Sequence, residues 1–217
     1  MAYKRILTIQ DISCVGQCSM TVAMPILSAC GHETCILPTA ILSTHTGGLG
    51  KPHIRDLTED MPRIAEHWEN ADIRFDAISC GYLGNVEQME QVERVFDRLA
   101  VPGCVKIIDP AMADHGKLYS RLGSAHVSAM AKLCERADVL LPNVTEAALL
   151  TDMPYEAKTE EAYLRQLSEK LLARYGAKAV IIASGTYLDS TIITGESVIS
   201  SGPDGMHPAI GLADNLR

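Results

Sequence analysis

The stretch ADVLLPNVTEAALL, residues 137–150, joins an apolar run to a polar pair that precedes a helical pattern. Its apolar residues 139–141 are followed by Pro142, and Asn143 and Glu146 come just before the apolar spacing becomes helical. This order predicts a short buried strand followed by a helix start, because Asn is a preferred N-cap and proline ends an apolar strand. Asn followed three residues later by Glu is also the pattern of a capping box, which would explain both side chains without a ligand.

The same alternation of short apolar runs and longer helical patterns recurs along the chain and predicts its fold. The predicted strands are Tyr3–Gln10, Thr34–Pro38, Phe75–Cys80, Val105–Ile108, Lys178–Ala183 and Ser190–Thr194. The predicted helices are Gln17–Cys30, Val86–Leu99, Ser124–Arg136 and Thr159–Tyr175, the last with Thr159 as N-cap and Gly176 as terminator. Strands joined by crossover helices indicate an α/β fold with a mostly parallel central sheet. We interpret residues 1–217 as one domain, since no repeat or linker divides them.

Composition restricts the classes of partner. The formal net charge of -8 argues against a nucleic-acid partner, because a phosphate backbone needs a basic surface. The sequence has no apolar run of about 18 residues to span a membrane, and MAYKRILTIQD does not read as a signal peptide, so a cytoplasmic protein is expected. The seven cysteines form no CxxC pair and are interpreted as reduced, packed thiols; Cys14 and Cys18 have a spacing compatible with a metal, but further ligands are not evident.

Polar residues follow four of the predicted strands, where a parallel sheet binds its ligands. They are Asp11 with Ser13 and Gly16, the CGYLGN loop at 80–85, Asp109 with Asp114, and Asn143 with Glu146. Each has an ordinary interpretation as turn or cap chemistry. If the strands lie side by side, however, three carboxylates converge, and Mg²⁺ with a nucleotide phosphate would offset their charge.

The better-known nucleotide motifs are absent from the sequence. GGLGKP at 47–52 differs from a phosphate-binding loop at two required positions, occupied here by His45 and Pro52. There is no GxGxxG after the first strand, no GxSxG and no HExxH.

Five segments, in order and spacing from about residue 3 to 195, resemble the pyridoxal (pyridoxamine) kinases of the ribokinase-like superfamily. They are LTIQD at 7–11, LSTHTGG at 42–48, SCGYLGN at 79–85, DPAM at 109–112 and LPNVTEAALL at 141–150. The resemblance implies a three-layer ribokinase-like fold with helices on both sides of the sheet. It also implies a cytoplasmic homodimer that transfers the γ-phosphoryl group of ATP, with Mg²⁺, to the 5′-hydroxyl of a B6 vitamer.

The resemblance further implies roles for individual residues. Substrate-binding positions are Asp11, which stands where the family often has serine, His45, Thr46 and Tyr82. Nucleotide-side positions are Asp109, Asp114, Tyr119, Asn143, Glu146 and Ser184, and Asp109 and Glu146 would hold Mg²⁺ through water.

The sequence departs from this family after about residue 195. The family has a GxGD turn whose Asp is the general base, whereas the last residues, SSGPDGMHPAIGLADNLR, contain no such turn. We assign no catalytic role to Asp204 or Asp214, interpret 196–217 as an atypical tail, and expect a C-terminally incomplete fold and a very poor kinase. Truncation or a frame change would explain this, as would a non-catalytic protein that binds a vitamer or nucleotide. A hydroxymethylpyrimidine kinase is a further alternative, although the GSDSSGGAG-type opening of those enzymes is absent at residues 9–18.

Overall fold

The computed structural model describes residues 3–46, 49–157, 160–182, 191–194 and 197–200. The strands are β1 Arg5–Ser13, β2 Glu33–Leu42, β3 Ile54–Asp56, β4 Phe75–Cys80, β5 Ala100–Ile108, β6 Ala113–Asp114, β7 Lys117–Leu118, β8 Val139–Leu140, β9 Ala179–Val180, β10 Thr191–Thr194 and β11 Ser197–Ser200. The helices are α1 Met20–Ala29, α2 Met61–Asn70, α3 Val86–Leu99, α4 Ser124–Cys134, α5 Val144–Thr151 and α6 Glu161–Tyr175.

Within the described residues, seven strands form one sheet in the order β3-β2-β1-β4-β5-β8-β9. Every neighbouring pair in it is parallel except β2 with β3. The predicted α/β class with a mostly parallel sheet is therefore confirmed. Because β1, β2, β4, β5 and β8 are parallel, their carboxyl ends lie at one edge of the sheet. The pairs β6-β7 and β10-β11 are antiparallel and lie outside this sheet.

The pairing of β1 with β2 contains a bulge opposite Asp11. Gln10 pairs with Pro38 and Ile12 with Ile41, so two residues of β2, at 39 and 40, face one residue of β1. Bulges of this kind turn the backbone groups beside them in new directions. The carbonyl oxygen of Thr39 accepts a hydrogen bond from the backbone N–H of Leu57, at 3.0 Å, rather than serving only the sheet.

The core lies between the sheet and the helices that cover it. In α3 the buried residues Met89, Val92, Phe96 and Leu99 recur at helical spacing and pack against strand residues that include Ile78 and Ile108. Helices α2, α3 and α4 pack side by side, α5 packs on α6, and α1 packs on β1 and β2.

Some elements were not predicted from the sequence pattern, or have other bounds than predicted, and these differences have identifiable causes. β3, α2 and the β6-β7 hairpin are short or carry few buried side chains; Met61 is the buried residue of α2. β1 and β2 run past Gln10 and Pro38, because the buried Asp11 and Ser13 continue the strand alternation and the bulge accommodates the proline. α1 begins at Met20, not at Gln17. The N-cap of α6 is Glu160; Thr159, Ala183 and Ser190 lie outside the described residues.

The cysteines only partly follow the prediction of packed thiols. Cys80, Cys104 and Cys134 are buried, whereas Cys14 and Cys30 are exposed and Cys18 and Cys35 are intermediate. In the described ranges, no cluster of three or more His, Cys, Asp or Glu side chains is arranged to hold a metal ion. None of the described helices is both long enough and apolar enough to cross a membrane.

Candidate functional site

Five parallel strands bring most of the predicted site residues to the same edge of the sheet. Asp11 lies near the carboxyl end of β1, and His45 and Thr46 follow β2. Tyr82 follows β4 by two residues and Asp109 follows β5 directly. Asn143 and Glu146 start the helix that follows β8, so these positions belong to one region of the fold.

Asn143 and Glu146 form the capping box at the N-terminus of α5. The side-chain oxygen of Asn143 accepts from the backbone N–H of Glu146 at 3.0 Å, and Glu146 Oε2 accepts from the backbone N–H of Asn143 at 2.8 Å. The capping interpretation is therefore confirmed, and it accounts for one carboxylate oxygen of Glu146.

The other carboxylate oxygen of Glu146 ties α5 to the loop after β5. Glu146 Oε1 accepts from the backbone N–H groups of Met112, at 3.1 Å, and Ala113, at 3.4 Å. Asn143 Nδ2 donates to the carbonyl oxygen of Ala113 at 2.7 Å. The first turn of α5 thus fixes the loop that carries Asp109.

Glu146 and Asp109 form an electrostatically unfavourable pair when both are ionised. Burial raises the pKa of Glu146 to about 8, and the charge of Asp109 adds to that rise, while the N–H donors of Asn143, Met112 and Ala113 oppose it. Burial raises the pKa of Asp109 to about 6. A divalent cation beside them would relieve this cost.

The donor set can be tested against Mg²⁺. Mg²⁺ usually keeps several waters and takes one or two carboxylates together with substrate phosphates, rather than a cage made by protein alone. The neighbouring carboxylates of Asp109, after β5, and Glu146, in the first turn of α5, fit this water-mediated mode. The described residues offer no cluster of three or more metal-ligating side chains for a fuller cage.

Asp114 does not join the pair of Asp109 and Glu146. Its side chain is 54% exposed and accepts from the backbone N–H of His115, within its own hairpin, at 2.8 Å. The predicted convergence of three carboxylates is therefore reduced to two, because the turn between β6 and β7 directs Asp114 toward solvent.

Tyr119 follows that hairpin and lies beside Tyr82, one of the predicted substrate residues. Its ring lies 6.4 Å from the ring of Tyr82, centroid to centroid, and its backbone N–H donates to the carbonyl oxygen of Met112 at 3.0 Å. Burial raises the pKa of Tyr119 to about 12, and the charges of Glu146, Asp114 and Asp109 contribute. Tyr119 therefore connects the carboxylate pair to Tyr82.

The predicted substrate residues differ in burial. Asp11 is 4% exposed and accepts from the hydroxyl of Ser13 at 3.3 Å. Burial raises the pKa of Tyr82, and the negative charge of Asp11 adds to the effect, so these two side chains share one electrostatic environment. Thr46 is exposed.

His45 lies against the backbone of the loop after β1. Its backbone N–H donates to the carbonyl oxygen of Val15 at 3.0 Å. Gly16 has φ of +96°, and a Cβ there would come within 1.9 Å of His45 Cδ2. Gly16 is therefore required both for its backbone conformation and for the approach of the imidazole ring.

Sequence reasoning missed several residues that shape the site. Thr145 accepts from the backbone N–H of Gly116 at 3.0 Å and so holds the β6-β7 hairpin. Gln88, 1% exposed, occupies the first turn of α3 behind the loop of Tyr82. The sequence signal was present, because Asn85 and Gln88 repeat the Asn-x-x-acceptor pattern of Asn143 and Glu146.

Other features lie away from the site or outside the described residues. Two cavities occur elsewhere, one between α2 and α3 and one beside β3, lined by Arg55, Asp60, Arg63 and His67 among others. Ser184, Asp204 and Asp214 are outside the described residues.

Comparison with known proteins places this geometry in a family. The family model for phosphomethylpyrimidine kinase matches residues 26–201. The crystal structure of pyridoxal kinase from Lactobacillus plantarum is 33% identical with a TM-score of 0.77, over 93% of this chain and 72% of that one. A Bacteroides thetaiotaomicron structure, assigned to phosphomethylpyrimidine kinase and crystallised with pyridoxal, is 36% identical with a TM-score of 0.75, over 80% and 60% of the two chains.

This chain spans only part of the length of the curated relatives that it matches. Hydroxymethylpyrimidine/phosphomethylpyrimidine kinase of Bacillus subtilis is 29% identical over 159 residues, which are 72% of this chain and 55% of that enzyme. A shorter match, 41% identical over 90 residues, is to the tRNA uridine 5-carboxymethylaminomethyl modification enzyme MnmG of Lactococcus lactis; it covers 14% of that enzyme and carries no argument about the site. This chain belongs to the phosphomethylpyrimidine kinase family, as a pyridoxal-kinase-type member with the ribokinase-like fold.

Proposed function

We propose that this chain binds a B6 vitamer and ATP for transfer of the γ-phosphoryl group to the vitamer's 5′-hydroxyl, as pyridoxal kinases do. The observation that carries the proposal is the carboxylate pair formed by Asp109, after β5, and the buried Glu146, in the first turn of α5, with Tyr119 beside them and Tyr82 beside Tyr119. An anion-binding helix start beside an aromatic pair is suited to a phosphate on one side and a flat ring on the other.

On the vitamer side, the proposed contacts are Asp11, His45, Thr46 and Tyr82. Tyr82 would supply an aromatic face for the pyridine ring, and Thr46 would supply a hydroxyl for the ring's polar atoms. A buried carboxylate at Asp11 favours a cationic group, so pyridoxamine is expected to bind more tightly than pyridoxal.

On the nucleotide side, Asp109 and Glu146 would hold Mg²⁺ through water, with Asn143, Asp114, Tyr119 and Ser184 around the phosphates. The cation would supply positive charge to offset the phosphate oxygens. The N-terminus of α5 would present the positive end of its helix dipole to the phosphates, and Glu146 ties this first turn to its cap and to the loop after β5. The proposal assigns binding and positioning roles only, since residues 1–217 contain no GxGD sequence to provide a base.

A second candidate, hydroxymethylpyrimidine phosphorylation, is favoured by the family description and by the Bacillus subtilis relative. The Bacteroides thetaiotaomicron structure carries the phosphomethylpyrimidine name and contains pyridoxal, so the name alone does not separate the two substrates. Parallel titrations with pyridoxal, pyridoxamine and hydroxymethylpyrimidine would separate them. Binding of hydroxymethylpyrimidine alone would contradict the B6 proposal.

Calorimetry with the purified chain tests the vitamer pocket. Tyr82→Ala and Thr46→Ala should each weaken vitamer binding, by on the order of tenfold for the tyrosine, because its apolar contact area is lost. Tyr3→Ala is the matched control, since Tyr3 is 71% exposed and precedes β1 at the opposite edge of the sheet. Unchanged affinity in both pocket variants would refute the assignment.

Glu146→Gln tests the metal role separately from the cap. The amide oxygen can still accept from the backbone N–H of Asn143 and keep the cap, whereas the charge that attracts Mg²⁺ is gone. The amide nitrogen would then face the N–H groups of Met112 and Ala113, so the stability of the variant is measured alongside its ATP affinity. ATP affinity in the presence of Mg²⁺ should fall by about 10–100-fold. Glu87→Gln, in the first turn of α3, is the control for removing an acidic side chain near a helix start. If Glu146→Gln binds Mg-ATP like the parent and Glu146→Ala is merely less stable, the residue is only a cap.

A further inference from the structure

A saturated polar network lies behind the loop that carries Tyr82. Gln88 Oε1 accepts from the backbone N–H of Gly84 at 2.7 Å. Its Nε2 donates to the carbonyl oxygen of Thr39 at 3.0 Å and to Thr58 Oγ1 at 2.9 Å. The N–H of Gly84 can only donate and the carbonyl of Thr39 can only accept, so the amide of Gln88 fits in one orientation.

Thr58 is the second centre of the network. Its hydroxyl donates to Asp56 Oδ1 and accepts from Gln88 and from Asn85 Nδ2, each at 2.9 Å. The side chains of Gln88 and Thr58 are 1% and 7% exposed. A buried network in which every donor and acceptor is paired holds its members in one arrangement.

The network fixes the backbone of the loop, and the ring of Tyr82 projects from that loop. Gly81 is held by its N–H to the carbonyl oxygen of Ile9 at 2.9 Å, and Thr39 Oγ1 donates to the carbonyl oxygen of Tyr82 at 3.3 Å. Gly84 is held by Gln88, and Leu83 is fully buried. The backbone is therefore anchored on both sides of Tyr82, whose ring faces Tyr119.

We infer that Gln88 is a positioning residue that sets where Tyr82 stands in the vitamer pocket. The inference rests on the proposed function for the identity of the ligand and on the hydrogen bonds of the network for the position of the loop. Gln88 lies in α3, and the residues it links come from β2, the β3-α2 connection and the β4-α3 loop.

The first test follows the loop directly. Gln88→Met keeps the side-chain length and removes all three hydrogen bonds, so amide exchange of residues 81–85 should accelerate by on the order of tenfold or more. Gln91→Met is the matched control, because Gln91 is also buried, one turn later in α3, and bonds to Arg94 instead of the loop. Unchanged exchange in Gln88→Met would overturn the inference.

The second test asks whether the effect reaches the pocket through Tyr82. Gln88→Met should weaken pyridoxal binding by on the order of tenfold in the parent, but by less than about twofold when Tyr82→Ala is already present. Equal effects in both backgrounds would overturn the inference, since Gln88 would then act by another route.

If Gln88→Met does not fold, Thr58→Val should reproduce the loss and Thr58→Ser should restore binding; equal behaviour of those two variants would overturn the inference. If the parent binds no vitamer, the proposed function fails, and the exchange measurement still decides the role of Gln88.

Discussion

Helices α3 and α5 begin with the same local sequence pattern and use it for different purposes. Each follows a parallel strand, each is capped by an asparagine, and each carries an amide or carboxylate three residues later: Gln88 in α3 and Glu146 in α5. Glu146 returns to its own cap, whereas Gln88 bonds to Gly84, Thr39 and Thr58. An amide donates and accepts, so it can bridge a carbonyl and an N–H; a carboxylate only accepts, so it collects N–H groups.

The difference determines which of the two helix starts carries charge. The Gln88 network is satisfied within the protein and needs no ligand. Glu146 is equally buried, but it lies beside Asp109, and burial keeps both pKa values high. An added cation would therefore lower the free energy of the folded chain at the start of α5, beside Glu146. The start of α3, with Gln88, instead supports an adjacent loop.

The largest effect is expected from Gln88→Glu. A carboxylate there could keep the N–H of Gly84 as donor to one oxygen, but its other oxygen would face the carbonyl oxygen of Thr39. This buried, incompletely paired charge should lower the free energy of unfolding by about 3–5 kcal/mol. Urea denaturation near pH 7 measures this. Gln91→Glu, whose neighbour Arg94 can pair with it, should cost less than about 1 kcal/mol. Equal losses would mean that the Gln88 site tolerates charge and that the two helix starts are not distinct.

A smaller effect, of on the order of 2–3 kcal/mol, is expected in the pH dependence of stability. The folded pKa of Glu146, about 8, lies above its usual value of 4.5, so the folded chain binds the proton more tightly than the unfolded chain. The stability that the folded chain gains from this tighter proton binding is fully present below pH 4.5 and is lost as pH rises through 8. The parent should therefore lose stability relative to Glu146→Gln between pH 5 and 8.

Paired denaturation curves at several pH values check this, and added Mg²⁺ should recover part of the loss in the parent at pH 8. Parallel pH profiles for the parent and Glu146→Gln would show that the carboxylate titrates normally and that no cation is needed there.

The smallest effect is expected at the caps themselves. Asn85→Ala and Asn143→Ala should each lower the free energy of unfolding by about 1 kcal/mol, since both asparagines accept from the backbone N–H three residues later. Only Asn143→Ala should also weaken Mg-ATP binding. A loss of ATP affinity in Asn85→Ala would place the nucleotide site nearer to α3 than we propose.

The sequence predicted the regular parts of the molecule where the pattern is local. β4 and α3 have the predicted bounds, because α3 repeats its apolar residues at helical spacing and Asn85 precedes it. The capping box of α5 was also visible. The second oxygen of Glu146, however, bonds to Met112 and Ala113, more than thirty residues away, and no local pattern contains that contact.

The missed parts of the site share this non-local character. Gln88 was recognisable as an acceptor three residues after an Asn, but its partners Thr39 and Thr58 become neighbours only when β2 and the β3-α2 connection are in place. Asp114 was predicted to join Asp109 and Glu146, and the β6-β7 turn, which the pattern did not reveal, directs it outward.

The bulge in β2 makes this part of the chain sensitive to a change in length. Two residues of β2, at 39 and 40, face the single residue Asp11, so deleting one of them would restore simple pairing with β1, while Ile41 and Leu42 would still pair with Ile12 and Ser13. The deletion would remove the bulge itself, in which Thr39 and Ala40 are both buried and the carbonyl oxygen of Thr39 accepts from Leu57 and Gln88. Substitutions between Pro38 and Leu42 should therefore be accepted more readily than insertions or deletions. Libraries that vary this strand should keep its residue count fixed.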